Sequence, residues 1–88
     1  MNYKVYKHYR DGLELEKEFT DLKMALVYCL EDDTLCRENG HALSIRKNYA
    51  DSIFEINYYG NKEINVDDVA TEEELRIIND FVCMNWPT

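Results

Sequence analysis

Tyr3–Phe19 reads YKVYKHYRDGLELEKEF, two runs of alternating side chains around Arg10, Asp11 and Gly12. Alternation is the period of a half-buried strand, and an Asp-Gly step between two such runs signals a hairpin. Loop length follows from which residues share a face. A two-residue turn at Asp11 and Gly12 sets Lys7 opposite Glu16 and Val5 opposite Glu18, mixing core and solvent types in each pair. A three-residue loop of Arg10, Asp11 and Gly12 sorts them. It sets Tyr9 against Leu13, Lys7 against Leu15, Val5 against Lys17 and Tyr3 against Phe19 on one face. The other face takes His8 with Glu14, Tyr6 with Glu16 and Lys4 with Glu18. A buried face must stay apolar, so the pattern predicts the longer loop, with Gly12 left-handed at a bulge.

A helix follows directly. Thr20 or Asp21 caps it, and Leu22, Ala25, Leu26, Cys29 and Leu30 form a stripe at helical spacing. Glu31, Asp32 and Asp33 stand at the end where negative charge is unfavourable. The regular helix is therefore expected to fray near Asp33 and to give way to a loop or irregular turn over Thr34–Asn39, stopped by Gly40. Two strands come next, Ala42–Lys47 and Ile53–Tyr59. Pairing Ile45 with Phe54 and Leu43 with Ile56 leaves Asn48–Asp51 as a four-residue loop. Glu63–Val66 reads as a short fifth strand with Ile64 and Val66 inward. Thr71 and Glu74 then form a capping box, opening a second helix marked by Leu75, Ile78, Phe81 or Val82, and Trp86. The expected fold is one α+β domain over residues 1–88: an antiparallel sheet of four to five strands in the order ββαββ(β)α. Both helices pack on one face, the first burying Leu22, Leu26 and Leu30 against Val5, Leu15, Ile45 and Ile56.

Charge separates the two halves. Met1 to Ala50 holds eight Lys/Arg against nine Asp/Glu, whereas Asp51 to Thr88 holds two against nine, so most of the net −8 lies in the second half. Such a field repels nucleic acid and anionic membrane surfaces and attracts basic proteins. No apolar run is long enough to span a membrane. Three cysteines fit no disulfide framework and the N-terminus lacks an apolar leader, which predicts a reducing, cytoplasmic setting.

The acidic residues of the second half are the candidate site. Glu63, Asp67, Asp68, Glu72, Glu73 and Asp80 have few compensating cations near them in sequence, and Tyr59 adds an outward aromatic of the kind enriched at interfaces. The competing reading is a solvated face, since glutamates in a first helical turn suit the macrodipole. Glu14, Glu16 and Glu18 form a second acidic row on one strand face, opposed by Lys4 and His8. Tyr6 and Tyr49 are further outward rings. Cys29, Cys36, His41 and Cys83 have zinc chemistry at the wrong spacing. Asn61–Glu72 has calcium-loop character, but Val66 stands where that loop requires glycine. No nucleophile motif or phosphate loop accompanies His8 or His41. No metal, cofactor or catalytic residue is assigned.

These features predict a non-catalytic module that docks an acidic surface on a basic protein, such as a nuclease or another nucleic-acid-binding enzyme. It contacts neither nucleic acid nor membrane directly. In size, acidity and want of motifs the chain resembles the phage-encoded inhibitors of host nucleases and DNA-repair enzymes. That resemblance implies inhibition by nucleic-acid mimicry and transfers no residues. The alternative is a structural or interaction domain, homodimeric through its open sheet face, whose charge serves solubility alone.

Overall fold

A computed structural model describes residues 2–39, 42–48, 51–57, 62–64 and 70–85, with side chains described for all of these except 32–39 and 62–64. Strands β1 (Tyr3–Tyr9) and β2 (Gly12–Phe19) precede helix α1 (Leu22–Asn39). Strands β3 (Ala42–Arg46), β4 (Ser52–Ile56) and β5 (Lys62–Ile64) precede helix α2 (Glu72–Asn85). The sheet is antiparallel in the order β2-β1-β3-β4-β5, so α1 carries the chain across β1 to its far side. The fold is α+β, as the patterning predicts.

Both helices share one core. Val5, Leu43, Ile45, Phe54 and Ile56 from the sheet meet Leu22, Ala25, Leu26 and Cys29 from α1 and Ile78 from α2. Each Val, Leu, Ile or Phe among them, moved from water to the interior, contributes about 1.5–3 kcal/mol. Cys29 is fully buried among them and behaves as a small hydrophobe. Ile45 pairs with Phe54 and Leu43 with Ile56 as the alternation requires. The register then slips by one residue at Ile53, and this bulge lets Ile53 and Phe54, neighbours in sequence, both join the core.

The hairpin departs from expectation at its closed end. Tyr3–Phe19, Lys4–Glu18 and Val5–Lys17 pair as predicted, but the extra residue is Glu16 in mid-strand rather than a residue of the loop. From there Tyr6 opposes Leu15, Lys7 opposes Glu14, His8 opposes Leu13 and Tyr9 opposes Gly12, leaving a two-residue turn. Gly12 has a φ of 136°, open to glycine and strained for other residues. Leu15 is thus not under α1: it lies on the face away from the helices, 46 % exposed, beside Tyr6. Tyr6 lies on that outer face, as the alternation predicts, but is covered there and only 8 % exposed.

Helix α1 does not stop near Asp33 but runs regularly to Asn39. Glu31, Asp32 and Asp33 thus lie inside the helix, more than a turn from its end at Asn39, where the dipole effect has faded. The stop at Gly40 falls outside the described residues, as do Tyr49, Tyr58, Val66 and Trp86. The fifth strand exists as Lys62–Ile64, with Ile64 in register opposite Phe54.

Candidate functional site

The start of α2 places its carboxylates by the rules of helix capping. The Thr71 hydroxyl accepts the Glu74 backbone N–H at 3.1 Å, and Glu74 Oε1 accepts the Thr71 N–H at 2.8 Å. That reciprocal box turns Glu74 inward, where it is 6 % exposed. There Tyr3 donates its hydroxyl to Glu74 Oε2 at 2.5 Å, and Lys47 Nζ lies 2.5 Å from Oε1. Burial alone pushes the Glu74 carboxyl up. Hydrogen bonds from Lys47, the Thr71 amide and Tyr3, with the charge of Lys47, outweigh it and hold the group down at about 2. Burial first, then the bond to Glu74 and the charges of Glu74, Glu73 and Asp21, push the Tyr3 phenol up to about 12.

Glu72 and Glu73, on either side of this inward turn, stay exposed. Asp80 is exposed two turns further along α2. None of the three makes an ion pair with a described residue. At the neighbouring start of α1, Asp21 accepts the Lys23 backbone N–H at 2.9 Å, so Asp21 is the cap. A shallow cleft of about 430 Å³ joins the two helix starts, lined in part by Tyr3, Asp21, Thr71 and Glu73. Negative charge gathers where both helix dipoles accept it.

Two carboxylates of β2 are paired instead, whereas Glu14 is exposed with no ion pair to a described residue. Lys4 lies 3.8 Å from Glu18 and Lys7 lies 3.6 Å from Glu16. Lys4 and Lys7 are three residues apart on one strand and point to opposite faces. Glu16 and Glu18 therefore follow them to opposite faces, and the expected acidic row of Glu14, Glu16 and Glu18 does not form. The bulge at Glu16 breaks it.

The sheet face away from the helices carries a constellation absent from the sequence reading. Ser44, fully buried on β3, lies 2.7 Å from His8 Nε2 and accepts Arg46 Nε–H at 2.9 Å. His8 Nδ1 lies 3.6 Å from Glu55 Oε1, which also lies 4.0 Å from Arg46. A carboxylate only accepts, so the ring proton belongs on Nδ1, and Nε2 accepts the Ser44 hydroxyl. Burial, then the charge of Arg46, pushes the His8 imidazole down, keeping it neutral. Hydroxyl, imidazole and carboxylate stand in the order of a hydrolase triad. Ser44 is nonetheless sealed from solvent in the middle of a sheet whose backbone N–H groups are committed to neighbouring strands. Its Oγ is already engaged by His8 and Arg46, and the described residues around it leave no open oxyanion site. The network orders the sheet face. Its signal was the outward alternation of His8, Ser44, Arg46 and Glu55, uninformative until β3 is known to lie beside β1.

Of the predicted site residues, the structure brings Glu72, Glu73 and Asp80 onto one exposed helix. Glu63 sits in β5 opposite Glu55, its side chain outside the described set. Asp67, Asp68 and Tyr59 lie outside the described residues. Among the described residues no group of three or more His, Cys, Asp and Glu is placed to hold a metal ion, and no helix is long and apolar enough to cross a membrane. Set against protein-family models, curated proteins and solved structures, the chain matches none.

Proposed function

We propose that this chain is a non-catalytic protein-binding module that docks the carboxylate-rich start of α2 on a basic surface of another protein. In its sharper form it occupies the cationic groove of a nucleic-acid-handling enzyme, such as a nuclease, and blocks it. One observation carries the reading. On the sheet Glu16, Glu18 and Glu55 each lie within 4.0 Å of a lysine or arginine of this chain, whereas Glu72, Glu73 and Asp80, like Glu14 on β2, face solvent with no ion pair to a described residue. Close charge pairs across an interface couple by about 1.5–7 kcal/mol, so a few unmatched carboxylates suffice for a specific contact.

The test is affinity capture from lysate with the wild type and with E72K/E73K, at about 50 and about 200 mM salt, where screening separates docked from buried charges. Basic proteins held by the wild type at low salt, released at high salt and lost with the variant support the reading. The same proteins captured by both forms would overturn it. The open sheet face is a weaker place for a partner. His8, Ser44, Arg46 and Glu55 are satisfied among themselves, and Tyr6 is already buried.

A further inference from the structure

On α2, away from its core-facing Ile78, a groove of about 580 Å³ opens against the first turn of α1. It is lined in part by Lys23, Arg76, Ile77, Asp80, Phe81 and Met84. Met84 is 81 % exposed, the most open of the large hydrophobic side chains described. The charge of this lining runs against the rest of the molecule. On a chain of net −8, the described residues that line it hold two cations and one anion. Lys23, Arg76 and Asp80 make no ion pair among the described residues, although Arg76 and Asp80 are one turn apart on the same helix.

We infer that this groove receives α2 of a second copy of the chain, antiparallel, about a two-fold axis passing between positions 76 and 80. The argument is self-complementarity. Positions four apart lie on one helix face, so a two-fold axis midway between them sets each Arg76 against the other chain's Asp80 and repeats the pair. Ile77 and Met84 of both copies lose water in the same step, and Lys23 faces an incoming acidic helix. A two-fold contact of this kind is isologous and closes on itself. Fourteen residues of helix make a contact about 21 Å long, which falls among the smaller interfaces and associates weakly. The pairing goes beyond the docking reading and does not depend on it. Asp80 then serves the self-contact, and the first-turn glutamates of the two copies remain exposed at opposite ends.

Charge exchange tests it. Sedimentation equilibrium over a range of concentrations follows the wild type, R76D, D80R and R76D/D80R, with circular dichroism checking that each is folded. The wild type is expected to dimerise reversibly. R76D sets two carboxylates together and D80R two guanidinium groups, so each dimerises at least about tenfold more weakly, roughly 1.4 kcal/mol. The double variant recovers the pair with its signs exchanged, and an equal mixture of the single variants forms a mixed dimer. D80R is the sharpest arm. It lowers net charge and relieves general repulsion, so stronger dimerisation of D80R would overturn the proposal. A wild type monomeric at every concentration, or a dimer indifferent to both single variants, would overturn it as well. A dimer through the open sheet face falls in that last class.

Discussion

Glu74 stands among like charges, and its neighbours decide what it does. The capping box aims it inward and Lys47 and Tyr3 meet it there, so it stabilises the fold instead of joining the exposed surface. Its carboxyl, held at about 2 against an ordinary 4.5, contributes on the order of 3 kcal/mol. Because the folded-state value is the lower one, that contribution is complete above pH 4.5 and disappears as pH falls toward 2. E74Q keeps the shape and loses the charge. Its unfolding free energy from urea titration at neutral pH is expected to drop by about that amount and to converge with the wild type in acid. His8 acts in a higher window by the same sign. Its imidazole is pushed below the ordinary 6.5, so the unfolded chain takes up the proton first and stability declines as pH falls below 6.5. H8Q is expected to remove the decline that sets in below about pH 6.5 while leaving the Glu74 window in place. Urea titrations at those pH values separate the two groups.

At the scale of elements, the position of the hairpin bulge is the consequential detail. Glu16 is the residue without an opposite number, so deleting it leaves every observed pair between β1 and β2 intact. Deleting Glu14 instead displaces Leu13 and Gly12 against their partners and reopens the turn. The Glu16 deletion is therefore expected to unfold cooperatively with the wild-type circular dichroism spectrum, and the Glu14 deletion to lose that cooperativity. The Glu16 deletion should also scatter more light on standing. β2 is an edge of the sheet, and a charged bulge keeps a flat edge from pairing with another chain. The same detail marks what was legible in the residues. Alternation and capping chemistry give the strands, the helix starts, the β3–β4 pairs Leu43–Ile56 and Ile45–Phe54 though not the slip at Ile53, and the outer half of the hairpin. They do not locate the bulge, because an extra residue in the loop and one in mid-strand leave the same pairs at the open end. Nor do they place β3 beside β1, a long-range choice made by how α1 crosses the sheet. Without that neighbour, His8, Ser44 and Arg46 are three unrelated outward residues. The acidic start of α2 was legible because a capping box declares which glutamate turns in and which stay out.

Over the whole molecule, the net charge of −8 acts on folding and on association with opposite signs. Within one chain the carboxylates repel, and compaction brings them closer, so self-repulsion opposes the folded state. Salt relieves this. The screening length shrinks from about 30 Å at 0.01 M to about 10 Å at 0.1 M, comparable with a chain whose principal extents are 32, 29 and 21 Å. The wild type is therefore expected to gain stability as salt rises over that range, read as a rising urea midpoint. Docking to a basic partner responds the other way, since the attraction that speeds encounter is screened. E72K/E73K separates the effects. It brings the net charge from −8 to −4 and so flattens the rise of stability with salt. It also sets cations at a helix start, costing about 0.3–1 kcal/mol each, a loss confined to folding. E72Q/E73Q removes the charge without that reversal and serves as the control. With a captured basic partner, association rate constants are expected to fall from wild type to the Gln pair to the Lys pair, with dissociation rates changing little. Equal association rates for all three forms would mean that the field at the start of α2 serves solubility and guides no partner.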